Sequence, residues 1–249
     1  MLPGTLCDRR LFGRQKRNLR HSHNIRLVDY RALQAARTPP ARSRWVQRLL
    51  ASLPEKFSLA GFSLGGLWAL EILRQAPERV ERLAMIASNA QGASPKGQRN
   101  SRIQRRLWRQ PGAGPLAVLA RGLPAYFHHT AARRRHQGLL RDMALATGRR
   151  SALAQFAWAG VRPDGLQTLA VFTGPVLIVS GARDRLCPPR WQQAMQQVNP
   201  AANWLALERV GHFVPLEAPS ALTGALHRWL QTPGPAASRN LSASGVEEC

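Results

Sequence analysis

The stretch Phe57-Ser-Leu-Ala-Gly-Phe-Ser-Leu-Gly-Gly66 decides the fold. Its apolar run at 57–60 predicts a short buried strand, and the apolar spacing from Leu64 to Gln75 predicts a helix. Ser63 then stands between two glycines at a tight strand-to-helix turn, where a serine hydroxyl projects clear of the sheet. The pattern predicts that Ser63 is a nucleophile. The alternative is a glycine-rich turn such as any α/β protein contains.

Strands and helices alternate on both sides of this turn. Strands are predicted at 25–30, 80–87, 175–180 and 203–207, and helices at 41–53, 190–197 and 216–230. This alternation is typical of an α/β fold with a mostly parallel sheet and right-handed crossovers. From about 88 to 174 the chain is rich in arginine, and its pattern favours helices that are inserted over the sheet.

The chain is long enough for one large α/β domain with its own core, since it has 249 residues. We expect that domain to span 1–231. The segment 232–249 begins Thr-Pro-Gly-Pro-Ala-Ala-Ser and stays polar, which is typical of a disordered tail.

Two later segments could complete a site with Ser63. Asp184 closely follows the predicted strand at 175–180, and a carboxylate at such a place can orient a histidine. His212, in Val210-Gly-His-Phe213, lies between the last predicted strand and helix and could take the serine proton. The alternatives are a turn aspartate and a structural histidine, and the six other histidines are interpreted in that second way. The order serine, aspartate, histidine is that of the α/β-hydrolases rather than of the chymotrypsin or subtilisin types.

The N-terminal sequence Leu2-Pro-Gly-Thr-Leu-Cys-Asp8 contains a Pro-Gly turn. The backbone N–H of Thr5 could stabilise an oxyanion there, together with the N–H of Leu64 at the start of the helix after Ser63. The alternative is a simple N-terminal turn.

These motifs together resemble the α/β-hydrolase family of esterases and lactonases, including the pimeloyl-carrier-protein methyl ester esterases, whose elbow reads Gly-Trp-Ser-Leu-Gly-Gly. Ala76-Pro-Glu-Arg-Val80 and the segments around Asp184 and His212 also resemble this family. The resemblance covers roughly 2–231. It implies the fold, a Ser63–Asp184–His212 triad, a helical cap at about 90–172 and catalysis without a metal or organic cofactor.

The sequence departs from the family pattern at its start. The family's oxyanion turn commonly reads His-Gly, whereas this chain has Pro3-Gly4. In the family, a buried strand runs into that turn between the strands that match 25–30 and 57–60, and only Met1 and Leu2 correspond to it here. We therefore expect that the N-terminal strands are missing and that the natural protein begins upstream of Met1.

The net charge of +23 is the most unusual global feature, with 36 basic and 13 acidic side chains. Because lysine occurs only at three positions, the excess is arginine. It accompanies abundant alanine, proline and glycine, as a coding bias would produce. The alternative is an acidic partner such as a carrier protein. The basic residues are spread along the chain without interleaved aromatics, which argues against a nucleic-acid partner.

Cys7, Cys187 and Cys249 are scattered and odd in number, which favours free thiols in a reducing cytoplasm over disulfides or a zinc site. No apolar run is long enough to predict a membrane span, and no secretory signal is visible.

The sequence thus favours a serine hydrolase that cleaves a small-molecule carboxylic ester through an acyl-enzyme. Alternatives are a carrier-protein or thioester hydrolase, a lyase that uses the same triad, and a catalytically silent relative that binds an acidic partner. Four aromatic residues of the helical insertion are candidates for the lining of the acyl pocket, and the alternative is that they form the core of the insertion: Tyr126, Phe127, Phe156 and Trp158. Its arginines could hold an acidic carrier protein or form a solvated face: Arg102, Arg105, Arg106, Arg133, Arg134 and Arg135.

Overall fold

The computed structural model describes residues 1–30, 38–112 and 114–234. Within these ranges a four-stranded parallel sheet has the order β1 (Phe57–Phe62), β2 (Val80–Ile86), β3 (Val176–Gly181) and β4 (Asn203–Leu207). The four corresponding strand predictions are confirmed, with small differences at the ends. β3 is buried along its whole length, as expected of a central strand in a sheet covered on both faces.

The register brings the carboxyl ends of the strands to one edge of the sheet. Ile86 of β2 lies opposite Val179 of β3, and Gly181 of β3 lies opposite Leu207 of β4. Because all neighbouring strands are parallel, the loops that follow them leave from the same edge. The three candidate residues, Ser63, Asp184 and His212, follow β1, β3 and β4 and so meet there.

Eleven α-helices are present in the described residues. Their bounds are α1 (Gly13–Leu19), α2 (Pro39–Ala51), α3 (Leu64–Gln75), α4 (Pro95–Trp108), α5 (Gly114–Tyr126), α6 (Thr130–Thr147), α7 (Arg149–Val161), α8 (Leu166–Ala170), α9 (Pro189–Val198), α10 (Val214–Glu217) and α11 (Pro219–Gln231).

The sheet separates two hydrophobic cores, because successive side chains of a strand point to opposite faces. In β2, Leu83 and Met85 belong to a core that they share with α2, α3 and α9. Ala84 and Ile86 belong to the other core, which includes Leu226 and further side chains of α11. Where a strand is covered on both faces it needs apolar residues at successive positions, which explains the apolar runs of Leu83–Ile86 in β2 and Val176–Val179 in β3.

The helices α4 to α7, called the cap helices below, lie between β2 and β3 in the chain. Within the described part of 88–174 there is no strand, as the arginine-rich pattern predicts. The cap helices have a small core of their own that contains Trp108, Val118, Ala152 and Phe156. One member of that core, Leu6, comes from the N-terminal turn.

The predicted strand at 25–30 is wrong. This segment carries no strand, and two backbone hydrogen bonds join it to Met1: the Met1 carbonyl accepts the Val28 N–H at 3.0 Å, and the Met1 ammonium donates to the Arg26 carbonyl at 2.6 Å. Leu2 bonds to β1 on the other side, with its N–H on the Ala60 carbonyl at 2.8 Å. A strand needs a continuous ladder of hydrogen bonds, and among the described residues the neighbour of 25–30 is the short segment Met1-Leu2.

The predicted terminal helix at 216–230 is two helices, because Pro219 interrupts it. A residue that precedes proline avoids the helical region, and Ala218 has φ −132° and ψ 55°. α10 therefore ends at Glu217, and α11 begins at Pro219. The predicted tail from 232 lies, from residue 235 onward, outside the described residues.

We expect Trp68→Ala to lower the free energy of unfolding by about 3–5 kcal/mol, measured by urea denaturation. Trp68 is fully buried in α3, stacks on Trp158 of α7 at 4.9 Å between ring centroids and lies 4.5 Å from Trp45 of α2. Its removal leaves a cavity where three helices meet. The half-exposed Leu145 provides the control, and Leu145→Ala should change stability by less than about 0.5 kcal/mol. Equal effects of the two substitutions would contradict this packing.

Candidate active site

Ser63 lies at the sharp turn between β1 and α3, with φ 51° and ψ −115°. A non-glycine residue adopts this backbone only when its surroundings hold it there. The Ser63 N–H donates to the Ile86 carbonyl at 2.9 Å, and its own carbonyl accepts the Ser88 hydroxyl at 2.7 Å. These bonds tie the turn to β2 and the loop after it, so the strained conformation is fixed.

The two glycines of the turn are required by close backbone contacts. A Cβ on Gly61 would overlap the backbone of Gly65, and a Cβ on Gly65 would overlap the carbonyl of Leu2. The start of α3 therefore packs against both β1 and the N-terminal segment. This contact brings Ser63 beside the turn that contains Thr5.

His212 and Asp184 continue a hydrogen-bonded chain from Ser63. The Ser63 Oγ lies 3.0 Å from His212 Nε2, and His212 Nδ1 lies 2.8 Å from Asp184 Oδ2. The Asp184 side chain is fully buried, and its Oδ1 accepts the N–H groups of Leu186 at 2.7 Å and Cys187 at 2.8 Å. The carboxylate is thus fixed in a single orientation toward the imidazole.

The loop that carries His212 is held on both sides. The His212 N–H donates to the Tyr126 carbonyl at 3.0 Å, and the Phe62 ring packs on the imidazole with 5.1 Å between ring centroids. Only 3% of His212 is exposed, so the ring has little freedom to turn away from Ser63.

Glu217 also holds the loop that carries His212, a role that the sequence motifs do not predict. Its carboxylate accepts the Gly211 N–H and the His128 N–H, both at 2.9 Å. Burial raises the pKa of this carboxyl, and the two backbone hydrogen bonds oppose the rise. The sequence does contain an acidic residue shortly after Gly211-His212, but nothing in the pattern distinguishes it from an acidic residue on the surface.

The candidate oxyanion donors lie on the same cavity as Ser63. Thr5 and Leu64 both line it, and within the described ranges neither backbone N–H donates to another protein atom. Leu64 is the first residue of α3, whose opening N–H groups have no partner within the helix. Both N–H groups therefore remain able to bind a substrate oxygen.

The cavity has a volume of about 460 Å³ and lies between the sheet edge and the cap helices. Tyr126 and Phe156 line it, as proposed from the sequence. The same suggestion is wrong for Phe127, which stacks on Phe213, and for Trp158, which stacks on Trp68 in the core. Among the described lining residues, two are arginines, Arg121 and Arg162, and none is a carboxylate.

The arginines proposed for partner binding lie on α4 and α6. Arg102, Arg106, Arg134 and Arg135 are exposed. Arg105 and Arg133 are half-buried. No described helix is both long and apolar enough to cross a membrane.

Ligand atoms of Asp184, Cys187 and His212 lie within 4.8 Å of one another and could in principle hold a metal ion. The carboxylate and the imidazole are already bonded to each other. Burial and the neighbouring Asp184 raise the pKa of the Cys187 thiol, which disfavours the thiolate that a metal would need. The hydrogen-bonded chain to Ser63 accounts for this cluster better than a metal site does.

Sequence comparisons place these features among known proteins. The model of a family described as the alpha/beta hydrolase family matches residues 2–225. A pimeloyl-[acyl-carrier protein] methyl ester esterase of Aliivibrio salmonicida is 28% identical over 200 residues, which cover 75% of this chain and 73% of that protein.

Solved structures share the fold at low sequence identity. A thermophilic esterase from Thermogutta terrifontis superposes with a TM-score of 0.77 at 22% identity, over 92% of this chain and 88% of that one. The enol-lactonase from Burkholderia xenovorans gives a TM-score of 0.75 at 17% identity, over 92% and 90% of the two chains.

We expect Gly65→Ala to lower the free energy of unfolding by about 1–3 kcal/mol, since its Cβ would press on the Leu2 carbonyl. The control is Gly138→Ala in α6, where a Cβ would meet no atom within 4 Å. That change should stabilise the protein by about 0.4–1 kcal/mol, because alanine loses less chain entropy on folding. Thermal and urea unfolding would measure both. A Gly65→Ala protein as stable as the Gly138→Ala protein would contradict the close contact.

Proposed function

The chain belongs to the alpha/beta hydrolase family, and we propose that it hydrolyses ester bonds through an acyl-enzyme formed on Ser63. The resemblance noted in the sequence is thereby confirmed for the family and the fold. The observation that carries the proposal is the unbroken chain from Ser63 Oγ through His212 to the buried Asp184, at 3.0 and 2.8 Å.

In the proposed reaction, Ser63 Oγ attacks the ester carbonyl carbon while His212 takes the hydroxyl proton. Asp184 orients the imidazole and stabilises its charge. The carbonyl oxygen becomes an oxyanion that accepts the N–H groups of Thr5 and Leu64, each typically worth about 3 kcal/mol to the transition state.

Collapse of this intermediate breaks the ester C–O bond, and His212 returns the proton to the leaving alcohol. Water then attacks the acyl-enzyme, with His212 again as the base, and the acid leaves as Ser63 regains its proton. Every step uses side chains and backbone groups of this chain, so the proposal needs no cofactor.

We further propose that the cap helices cover this cavity as an insertion in the hydrolase domain.

We also propose that the protein works in the cytoplasm. Cys7 and Cys187 are buried free thiols, which suits a reducing compartment.

Labelling of the purified protein with a fluorophosphonate probe tests the nucleophile. We expect one label per chain, located at Ser63 by mass spectrometry, because His212 activates this hydroxyl. Ser63→Ala should lose the label, whereas Ser43→Ala, on α2, should label like the wild type.

Asp184→Asn should slow turnover by about 10⁴-fold, since an amide favours the wrong imidazole tautomer.

A folded wild-type sample that takes no label would contradict the acyl-enzyme. The alternative of a silent relative that binds an acidic partner would then gain support. Labelling at a serine other than Ser63 would contradict the assignment of the nucleophile.

A carrier-protein substrate is the second candidate. The relative from Aliivibrio salmonicida is named for a methyl ester on an acyl-carrier protein. Here the cap helices expose arginines on α4 and α6, and the cavity has two arginines and no carboxylate among its described lining residues. Positive surfaces of this kind favour the encounter with an acidic protein.

A comparison of a carrier-linked acyl methyl ester with the free methyl ester would test this candidate. We expect added salt to lower kcat/KM for the carrier-linked substrate alone, because screening weakens the encounter between the two proteins. Substitution of Arg134 and Arg135 by acidic residues should likewise lower kcat/KM for the carrier-linked substrate alone. The same substitution at Arg44 and Arg48, exposed on α2, is the control and should change little. Equal salt effects on both substrates would count against a carrier.

A further inference from the structure

The N-terminal turn that contains Thr5 is fastened to the cap by a buried hydrogen bond. The Leu6 N–H donates to Gln155 Oε1 at 2.8 Å, although the two residues are 149 positions apart. Gln155 is fully buried in α7 and Leu6 is 6% exposed, so water does not compete for this bond. In such surroundings an unpaired N–H would be costly, which favours a permanent contact.

The side chain of Leu6 strengthens the same connection. It packs in the core of the cap helices with Trp108, Val118 and Phe156. Leu6 also has φ +57°, a left-handed backbone that leucine seldom adopts. A strained residue of this kind persists only where its neighbours hold it. Here they include both the cap core and the Gln155 amide.

A chain of buried hydrogen bonds leads from Gln155 back to the other end of the turn. Gln155 Nε2 donates to Ser151 Oγ at 3.1 Å, and Ser151 Oγ donates to the Tyr30 carbonyl at 2.8 Å. The Tyr30 hydroxyl then donates to the Pro3 carbonyl at 2.9 Å. This series of hydrogen bonds thus holds the backbone on both sides of Thr5, at Pro3 and at Leu6.

These bonds fix three successive peptide planes. The Pro3 carbonyl is held by Tyr30, the Leu6 N–H is held by Gln155, and the Gly4 carbonyl between them accepts the Cys7 N–H at 3.1 Å. The Gly4 carbonyl and the Thr5 N–H belong to one planar trans peptide and point in opposite directions. Without these anchors, Gly4 would let that plane rotate easily.

We infer that Gln155 is a positioning residue, which holds the turn so that the Thr5 N–H meets the oxyanion that forms at Ser63. The inference rests on the proposed function for its catalytic consequence. Gln155 touches no reacting atom and acts through Leu6. It makes the geometry of one oxyanion donor depend on a residue of the cap.

The experiment compares Gln155→Leu, which keeps most of the side-chain volume, with the wild type. We expect kcat to fall by about ten- to a hundredfold with little change in KM, because a misplaced donor acts only on the transition state. A trifluoromethyl ketone inhibitor, whose oxyanion would occupy the same place, should lose affinity by a similar factor. Gln155→Glu retains an acceptor for the Leu6 N–H but lacks the donor to Ser151, so it should recover part of the kcat that Gln155→Leu loses.

Asn199→Leu is the matched control for loss of a buried amide. Asn199 is 7% exposed, and its Nδ2 donates to the carbonyls of Leu169 and Phe172, away from the cavity. This variant should be less stable but should keep the kcat and the inhibitor affinity of the wild type. Gln155→Leu with wild-type kcat and inhibitor affinity would overturn the inference.

Hydrogen exchange of the Leu6 amide, followed by NMR on leucine labelled with nitrogen-15, separates this inference from the proposed function. Exchange should be slow in the wild type and in Ser63→Ala, and faster in Gln155→Leu. If the wild type is neither labelled nor active, the proposed function fails, while faster exchange in Gln155→Leu still supports Gln155 as the anchor of the turn. Unchanged exchange in Gln155→Leu would overturn that role as well.

Discussion

The close approach of the start of α3 to the N-terminal segment is the contact on which the site depends. Gly65 lies against the Leu2 carbonyl, and Gly61 lies against the backbone of Gly65. Three layers of backbone therefore meet without any side chain between them. Their contact places the Ser63 hydroxyl, the first N–H groups of α3 and the Thr5 turn around one small volume. The parallel register then brings the loops after β3 and β4 to the same edge.

Local patterns predict the parts of this arrangement that are local in the chain. Ser63 was recognisable because the strand, the glycines and the helix that it requires are its own neighbours. The order of Asp184 and His212 after Ser63, and their places after strands, predict their roles, and both lie in one hydrogen-bonded chain with Ser63. The prediction of a strand at 25–30 is wrong because strand formation depends on a pairing partner, and the composition of a segment does not reveal that partner. Gln155 carries no local signal, since its role depends on Leu6 at the far end of the chain.

The arginine excess has a structural use within the fold. Arg79 donates to the carbonyls of Leu53, Pro54 and Glu55, and Arg82 donates to the Thr232 carbonyl. A guanidinium offers five donors in a planar array, so one side chain can satisfy several loop carbonyls that helices and strands leave unpaired. Lysine lacks this geometry. Part of the positive charge therefore accompanies loop stabilisation and does not by itself imply a partner.

The insertion of Leu6 into the core of the cap helices has a consequence for recombination between family members. A cap transplanted from a relative would replace Trp108, Val118 and Phe156, which surround Leu6, and would also remove Gln155. The N-terminal turn would then lose both the apolar residues that surround Leu6 and the buried acceptor of the Leu6 N–H. Chimaeras should therefore exchange the N-terminal turn together with the cap, and in natural evolution residue 6 and position 155 should change in concert rather than independently.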